Sequence, residues 1–262
     1  MKRVLLSAPP ADLPAELERL ARGASIYNSS CSPEARVYFI DRDGGYYLKT
    51  CKRGSLKREA EMTAYFHRKG MGAEVLEYLS LEHADWMLTS AIRGEDCTHE
   101  QYLSDPKRLC DTLARRLRWL HEMDFSDCPV QDRMSEYLST VEKNYRSGEY
   151  DTSAFPDSFG YRSAEEAWRV FENGRGGFHR DVLLHGDYCL PNIMLDDWSF
   201  SAFIDVGNGG VGDRHIDLFW GVWTLWFNLK TDRYAGRFLD AYGRDCIEPE
   251  MLRVVAAAEV FG

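Results

Sequence analysis

The clearest alternation of apolar and polar positions begins at residue 36. Apolar runs at Arg36–Asp41 and Tyr46–Lys49 flank Asp41-Arg42-Asp43-Gly44-Gly45, whose glycines accept positive φ, so the stretch predicts a β-hairpin. Ser55 is placed to cap a helix that runs to about Lys69 and stops at Gly70, and extended segments are expected at Ala73–Leu81 and Trp86–Ser90. Beyond Gly94 the spacing turns helical. Pro106 suits the first turn of a helix whose Leu109, Leu113, Leu117 and Leu120 form one apolar stripe. Further helices are predicted near 131–147, near 163–173 behind the capping box that starts at Ser163, near 214–229, near 232–242 and after Pro249. Short apolar runs at Val182–Leu184, Ile193–Leu195 and Phe200–Ile204 interrupt this region, with acids in the loops between them.

The resulting layout is α+β: a small, antiparallel, sheet-rich N-lobe over residues 1–90 and a larger, mainly helical C-lobe over 91–262. A chain of 262 residues, 44% apolar and 13% aromatic, can bury the core such a layout needs. No run approaches the ~20 apolar residues of a membrane helix, and the N-terminal apolar run is too short for a secretory signal, so no membrane role and a cytoplasmic location are expected. The seven cysteines are scattered and include no C-x-x-C pair, which suggests neither a disulfide framework nor a zinc site. A net charge of −10 argues against nucleic acid as a partner and suits a cationic small molecule, although acidity also serves solubility alone.

The residues with the most chemical content lie in His185-Gly186-Asp187-Tyr188-Cys189-Leu190-Pro191-Asn192 and in Phe203-Ile204-Asp205-Val206-Gly207. Phosphoryl transfer needs magnesium bridging the nucleotide phosphates and a carboxylate beside the attacking hydroxyl. Asn192 and Asp205 supply the oxygen donors that Mg2+ prefers, and Asp187 can accept or orient the hydroxyl proton. Each motif alone also reads as ordinary loop capping or a turn. His185 is expected to hold the loop together by hydrogen bonding. In the N-lobe, Lys49 ends a strand, and Glu59 falls on the apolar stripe of the next helix with Leu56, Met62, Thr63 and Phe66, whereas Glu61 points away. A carboxylate on that stripe needs a cation, and Lys49 is the expected partner. No Rossmann or P-loop fingerprint is present; a serine-rich loop, Asn28 to Pro33, stands where a phosphate loop would be.

Together these residues resemble the aminoglycoside phosphotransferases, especially the 3′-hydroxyl kinases. The resemblance covers most of the chain and is strongest in Tyr46–Lys49, Arg58-Glu59, Leu117–Glu122, His185–Leu195 and Phe203–Asp217. It implies the bilobal protein-kinase-like fold and transfer of the γ-phosphate of ATP or GTP to an aminoglycoside hydroxyl, the 3′ position first, conferring antibiotic resistance. By the same resemblance Asp187 is the catalytic base, Asn192 and Asp205 hold Mg2+, and Lys49 with Glu59 positions phosphates. Ser32 lies in the nucleotide-positioning loop, the Thr89–Ala91 backbone contacts the nucleobase, and Asp217 supports the catalytic loop.

Substrate recognition is where the chain departs from that pattern. The family usually ends in a Leu-Leu-Asp-Glu-Phe-like tail whose acids bind the antibiotic's amines; here Glu259 persists, Ala258 replaces the aspartate and Gly262 follows Phe261. Asn208 stands where the 3′ kinases often carry arginine. Glu149, Asp151 and Asp157 lie where the family has its variable substrate loop and either bind amines or form a solvated loop. Two other readings remain open at this point: a kinase of another metabolite such as an amino-sugar, choline, a sugar or homoserine, and a nucleotide-binding regulatory protein without catalysis. Three tryptophans at spacing three, Trp220, Trp223 and Trp226, read as helix core rather than as a sugar or nucleobase pocket.

Overall fold

In the computed structural model, which describes residues 3–31, 35–150 and 159–262, the chain divides into two compact units. The first comprises Met1–Asp96 and Ile193–Gly207, and the second Cys97–Asn192 and Asn208–Gly262. The division into 1–90 and 91–262 drawn from the sequence is contiguous, whereas the compact units are not. Residues 193–207 belong to the first unit because their backbone is hydrogen-bonded there.

The first unit is built on a six-stranded antiparallel sheet in the order β1-β2-β3-β4-β6-β5. Its strands are β1 (Val4–Leu5), β2 (Ser25–Asn28), β3 (Arg36–Asp41), β4 (Tyr46–Lys52), β5 (Val75–Ser80) and β6 (Ala84–Ser90). Period-two alternation gives the sheet two distinct faces. One presents Ile26, Tyr38, Ile40, Leu48, Trp86 and Leu88, which bury against Leu17 and Ala21 of α1 (Ala15–Ala21). The other presents Lys49 and its cross-strand partners Val37 and Met87, and α2 (Lys57–Arg68) packs Leu56 and Ala60 against Met87 there.

The helix after Gly54 forms as expected, but Ser55 does not cap it. The N-cap position is Leu56, and its N–H donates to Oδ2 of the buried Asp85, which also accepts from Ser80 and Tyr78. A carboxylate 29 residues away in sequence thus satisfies a helix donor that a local serine was expected to satisfy. A second sheet, β10-β9-β7, pairs β7 (Glu95–Asp96), β9 (Ile193–Asp196) and β10 (Ser199–Phe203). Phe203 N–H donates to Met71 O, and the Phe203 ring meets Phe66 edge-on, which fastens the segment to the first unit.

The second unit is mainly helical: α3 (Glu100–Leu103), α4 (Pro106–His121), α5 (Arg133–Ser147), α6 (Ala164–Gly174), α7 (Arg214–Leu229), α8 (Ala235–Tyr242) and α9 (Pro249–Ala258). In α4, Asp105 caps Arg108 N–H, Pro106 opens the first turn, and Leu109, Leu113, Leu117 and Leu120 are fully buried. Ser163 caps α6 as predicted, while Glu166 accepts from Arg162 N–H rather than closing the box on Ser163. The core gathers Met134 and Val141 of α5, Phe171 of α6, Ile216 of α7 and Val254 and Val255 of α9. A two-stranded ribbon, β8 (Val182–Leu184) with β11 (Gly210–Gly212), runs beside it. No described helix is long and apolar enough to cross a membrane, and every described cysteine is free.

Candidate functional site

In the first unit, three charged side chains meet on the Lys49 face of the sheet. Lys49 Nζ donates to both oxygens of Glu59, each at 2.8 Å, and to Oδ1 of Asp205 at 2.9 Å. The predicted stripe of α2 is observed, with Leu56, Glu59, Met62, Thr63 and Phe66 all buried and Glu61 outside it, 3.9 Å from Lys57. Burial by itself would lower the Lys49 pKa, but the charges of Asp205 and Glu59 outweigh it and hold the ammonium above its ordinary value. Asp205 is exposed and adopts φ +58°, a left-handed conformation that aspartate tolerates better than most residues. Two residues on, Gly207 O accepts from Arg58 Nε at 2.6 Å, so α2 grips the segment carrying Asp205 through its main chain.

Thr89 lies on β6 opposite Tyr47, and Ala91 N–H donates to Gly45 O. Ser32 lies outside the described residues, as do Asp151 and Asp157.

In the second unit, β8 delivers His185-Gly186-Asp187 to the first turn of α7. Asp217, fully buried, accepts from His185 N–H and Gly186 N–H, both at 2.8 Å, and from His121 Nε2–H at 3.1 Å. Burial pushes the His121 pKa down against the opposing effect of Asp217, which favours the neutral ring, and its Nδ1 lies 2.8 Å from Tyr242 Oη. Gly186 has φ +84°, and a Cβ there would sit 2.0 Å from Asn208 O, so only glycine fits this turn. Asp187 N–H donates to His185 Nδ1 at 3.3 Å, and Asn192 Nδ2 donates to Asp187 O and to Asp187 Oδ2 at 2.8 Å. The Asp187 carboxylate is therefore held by the amide five residues later, and the Asn192 amide is oriented with its nitrogen toward Asp187.

Glu259 caps the C-terminal end of α9, and its Oε1 accepts from Tyr137 Oη at 2.8 Å. Burial raises its carboxyl to about 7, against the opposing effect of the Tyr137 and Trp220 hydrogen bonds. Ala258 is fully buried in the helical core. Glu149 is exposed just beyond the C-terminus of α5. Asn208 accepts from Arg133, through O at 3.0 Å and Oδ1 at 3.5 Å.

The tryptophans of α7 are only partly core. Trp220 packs on the helical core, while Trp223 and Trp226 line a cavity of about 220 Å³ with Phe219, Val222, Thr231, Asp232 and Ala235. The sequence reading gave no role to His121, Tyr137 or Arg58. His121 and Arg58 lie in stretches already marked by the family resemblance, whereas nothing local marks Tyr137, whose partner is 122 residues away.

Comparison with known proteins adds to this geometry. A family model described as a phosphotransferase enzyme family matches residues 30–255. A protein of Lactococcus lactis subsp. lactis (strain IL1403), named as a probable aminoglycoside 3'-phosphotransferase, is 51% identical over 249 residues, 95% of each chain. An aminoglycoside 3'-phosphotransferase of Niallia circulans is 27% identical over 207 residues, 79% of each chain. Among solved structures, an aminoglycoside-3'-phosphotransferase of type VIII gives a TM-score of 0.76 at 22% identity, covering 95% of this chain and 100% of that one. An aminoglycoside phosphotransferase from Streptomyces rimosus ATCC10970, in complex with ADP and streptomycin, gives 0.70 at 22% identity, covering 87% and 91%. At such identities the structural likeness speaks to the fold, which is the α+β protein-kinase-like one expected from the sequence.

Proposed function

The chain belongs to the phosphotransferase enzyme family, and on that premise we propose that it transfers the γ-phosphoryl group of ATP or GTP to a hydroxyl of an aminoglycoside, the 3′-hydroxyl first. The observation that carries the reaction class is the Lys49 ammonium held between Glu59 and Asp205 on one face of the sheet. An ammonium fixed by a buried carboxylate is a phosphate-positioning device, and Asp205 beside it is a hard oxygen donor. The acceptor class rests on the names of the relatives and on Glu259, an acid that a polyamine substrate would pair with.

The proposed mechanism divides the work among this chain's own residues. Lys49 pairs with the nucleotide phosphates, and Glu59 keeps it in place. Asp187 accepts the proton of the attacking hydroxyl, its carboxylate aimed by Asn192 Nδ2 and its backbone by the loop that Asp217 anchors. Mg2+ fits the oxygen donors present: Asp205 carries a carboxylate oxygen beyond the one engaged by Lys49, and Asn192, with its nitrogen turned to Asp187, offers its amide oxygen elsewhere. Asp205 and Asn192 are the residues assigned to hold the ion, which would supply positive charge against the nucleotide phosphates. The Thr89–Ala91 backbone is assigned to the nucleobase and Ser32 to the phosphate side; Glu259, with Glu149, Asp151 and Asp157, is assigned to the amines.

The test is transfer from ATP and from GTP to a panel of aminoglycosides and other amino-sugars, read by mass spectrometry of the acceptor, with Asp187→Ala as control. The variant is expected to bind nucleotide and lose turnover by at least ~100-fold, the lower range for a removed general base. Unchanged turnover in Asp187→Ala would remove Asp187 from its role, and transfer only to a non-aminoglycoside would move the acceptor class.

A further inference from the structure

The N-terminal end of the chain contributes a residue to the Lys49 face that the reading above leaves unassigned. Strand β1 is a two-residue edge strand paired in the register Val4↔Asn28 and Leu5↔Tyr27. Tyr27 pairs in turn with Phe39, Phe39 with Tyr47, and Tyr47 with Thr89. Residues opposite one another share a face, and alternation adds Arg3 to Leu5 and Lys49 to Tyr47. Arg3, Tyr27, Phe39, Tyr47, Thr89 and Lys49 therefore all lie on the face opposite α1.

The contacts agree with that placement. The Arg3 guanidinium carbon lies 3.5 Å from the centroid of the Phe39 ring, and its Nη2 donates to Tyr47 Oη at 2.8 Å. Phe39 in turn rests against Gly45, which also neighbours Ala91: a Cβ built on Gly45 would come within 2.7 Å of the ring and 3.1 Å of Ala91 Cβ. An aromatic platform thus runs from the segment assigned to the nucleobase out to Arg3, with the Tyr47 ring two residues from the ammonium assigned to the phosphates.

We infer that Arg3 is a nucleobase-contacting residue, its guanidinium, stacked on the buried Phe39, forming the outer edge of the donor subsite whose floor is Tyr47. A guanidinium presents a flat face to aromatic rings and five N–H donors in its plane. One donor is engaged by Tyr47, so the others meet acceptors on the edge of a purine seated on the Tyr47 ring. The inference rests on the reading that the Lys49 face receives the nucleotide, and it adds to that reading a determinant from the first strand.

The experiment is a calorimetric titration of the full chain, with Mg2+, against ATP, GTP and inorganic tripolyphosphate, for the wild type, Arg3→Ala and Arg3→Lys. Tripolyphosphate has the charge and no base. Arg3→Ala is expected to weaken both nucleotides by about five-fold, the scale of one stacked cation, and to leave tripolyphosphate unchanged. Lysine, which keeps the charge but not the plane, should recover only part of the loss. Equal weakening of all three ligands would make Arg3 a mere contributor to the electrostatic field and overturn the inference. Unchanged nucleotide affinity with a lowered melting temperature would reduce Arg3 to an anchor of the first strand and overturn it as well. A wild type that binds none of the three would defeat the nucleotide reading of the Lys49 face and take Arg3 with it.

Discussion

Replacing Asp217 with alanine tests the support of the loop that carries Asp187. The carboxylate is fully buried and accepts two main-chain N–H groups at 2.8 Å and His121 Nε2–H at 3.1 Å, so solvent does not screen these bonds and water does not readily replace them. Hydrogen bonds to a charged group are worth about 1.5–3 kcal/mol each, so the two backbone donors together account for about 3–6 kcal/mol. His121 adds about 1 kcal/mol, and local relaxation returns part of the total, for a net loss of about 4 kcal/mol. For a chain of this size each kcal/mol lowers the melting temperature by about 2–4 °C, which predicts a fall of about 8–16 °C. The activity should fall further than stability alone requires, by about 100-fold in kcat at a temperature where the variant is folded, because Asp187 loses its orientation. Differential scanning calorimetry and single-turnover phosphoryl transfer measure the two effects. Asp217→Asn, which keeps one acceptor, should lie between. A melting temperature within about 3 °C of the wild type and kcat within about two-fold would show that Asp217 does not hold the loop.

Glu59→Gln removes the charge that fixes Lys49 but leaves Asp205 in place; kcat/KM for the nucleotide is expected to drop about 10- to 100-fold with KM for the acceptor little changed, and equal changes in both would count against the pairing role. Glu259 predicts a pH effect whose sign follows from its raised pKa. The carboxylate that pairs with amines forms only as pH rises through about 7, so acceptor KM should decrease from pH 6 to pH 8, and Glu259→Gln should flatten that profile. Because the folded state holds this proton to higher pH than the unfolded chain, stability from this group is greatest below the ordinary glutamate pKa and is lost as pH rises through the folded value, a slope that Glu259→Gln should also remove.

What the sequence revealed and what it hid follow a common physical line. Glu59 was legible because a charge on an apolar helical stripe is anomalous, and the anomaly names its remedy, a nearby cation. The stripe of α4, the Pro106 start and the hairpin read over Arg36–Lys49 were legible because periodicity and turn chemistry are local, although its second strand runs on to Lys52. Asp85 was not: its role as the cap of α2 depends on a strand that returns 29 residues later, so the local Ser55 took its place in the reading. Tyr137, bonded to Glu259, was hidden for the same reason. Helix α1 and strands β1 and β2 escaped because they are short, and β1 has no partner in its own neighbourhood of sequence. The tryptophans of α7 followed helical spacing as core residues do, yet their spacing could not tell which of them would meet a cavity.

The way Asp217 holds the loop also bears on how this chain can diverge. The carboxylate grips main-chain N–H groups, which any residue except proline supplies, so the anchor itself does not depend on the side chain at position 185. Position 186 has no such latitude, since its backbone is left-handed and a neighbouring carbonyl already fills the place of a side chain. Substitution at 186 or 217 is therefore expected to cost the loop its shape, while 185 is constrained by what its own ring contributes, so the loop can keep its shape while its chemistry is revised.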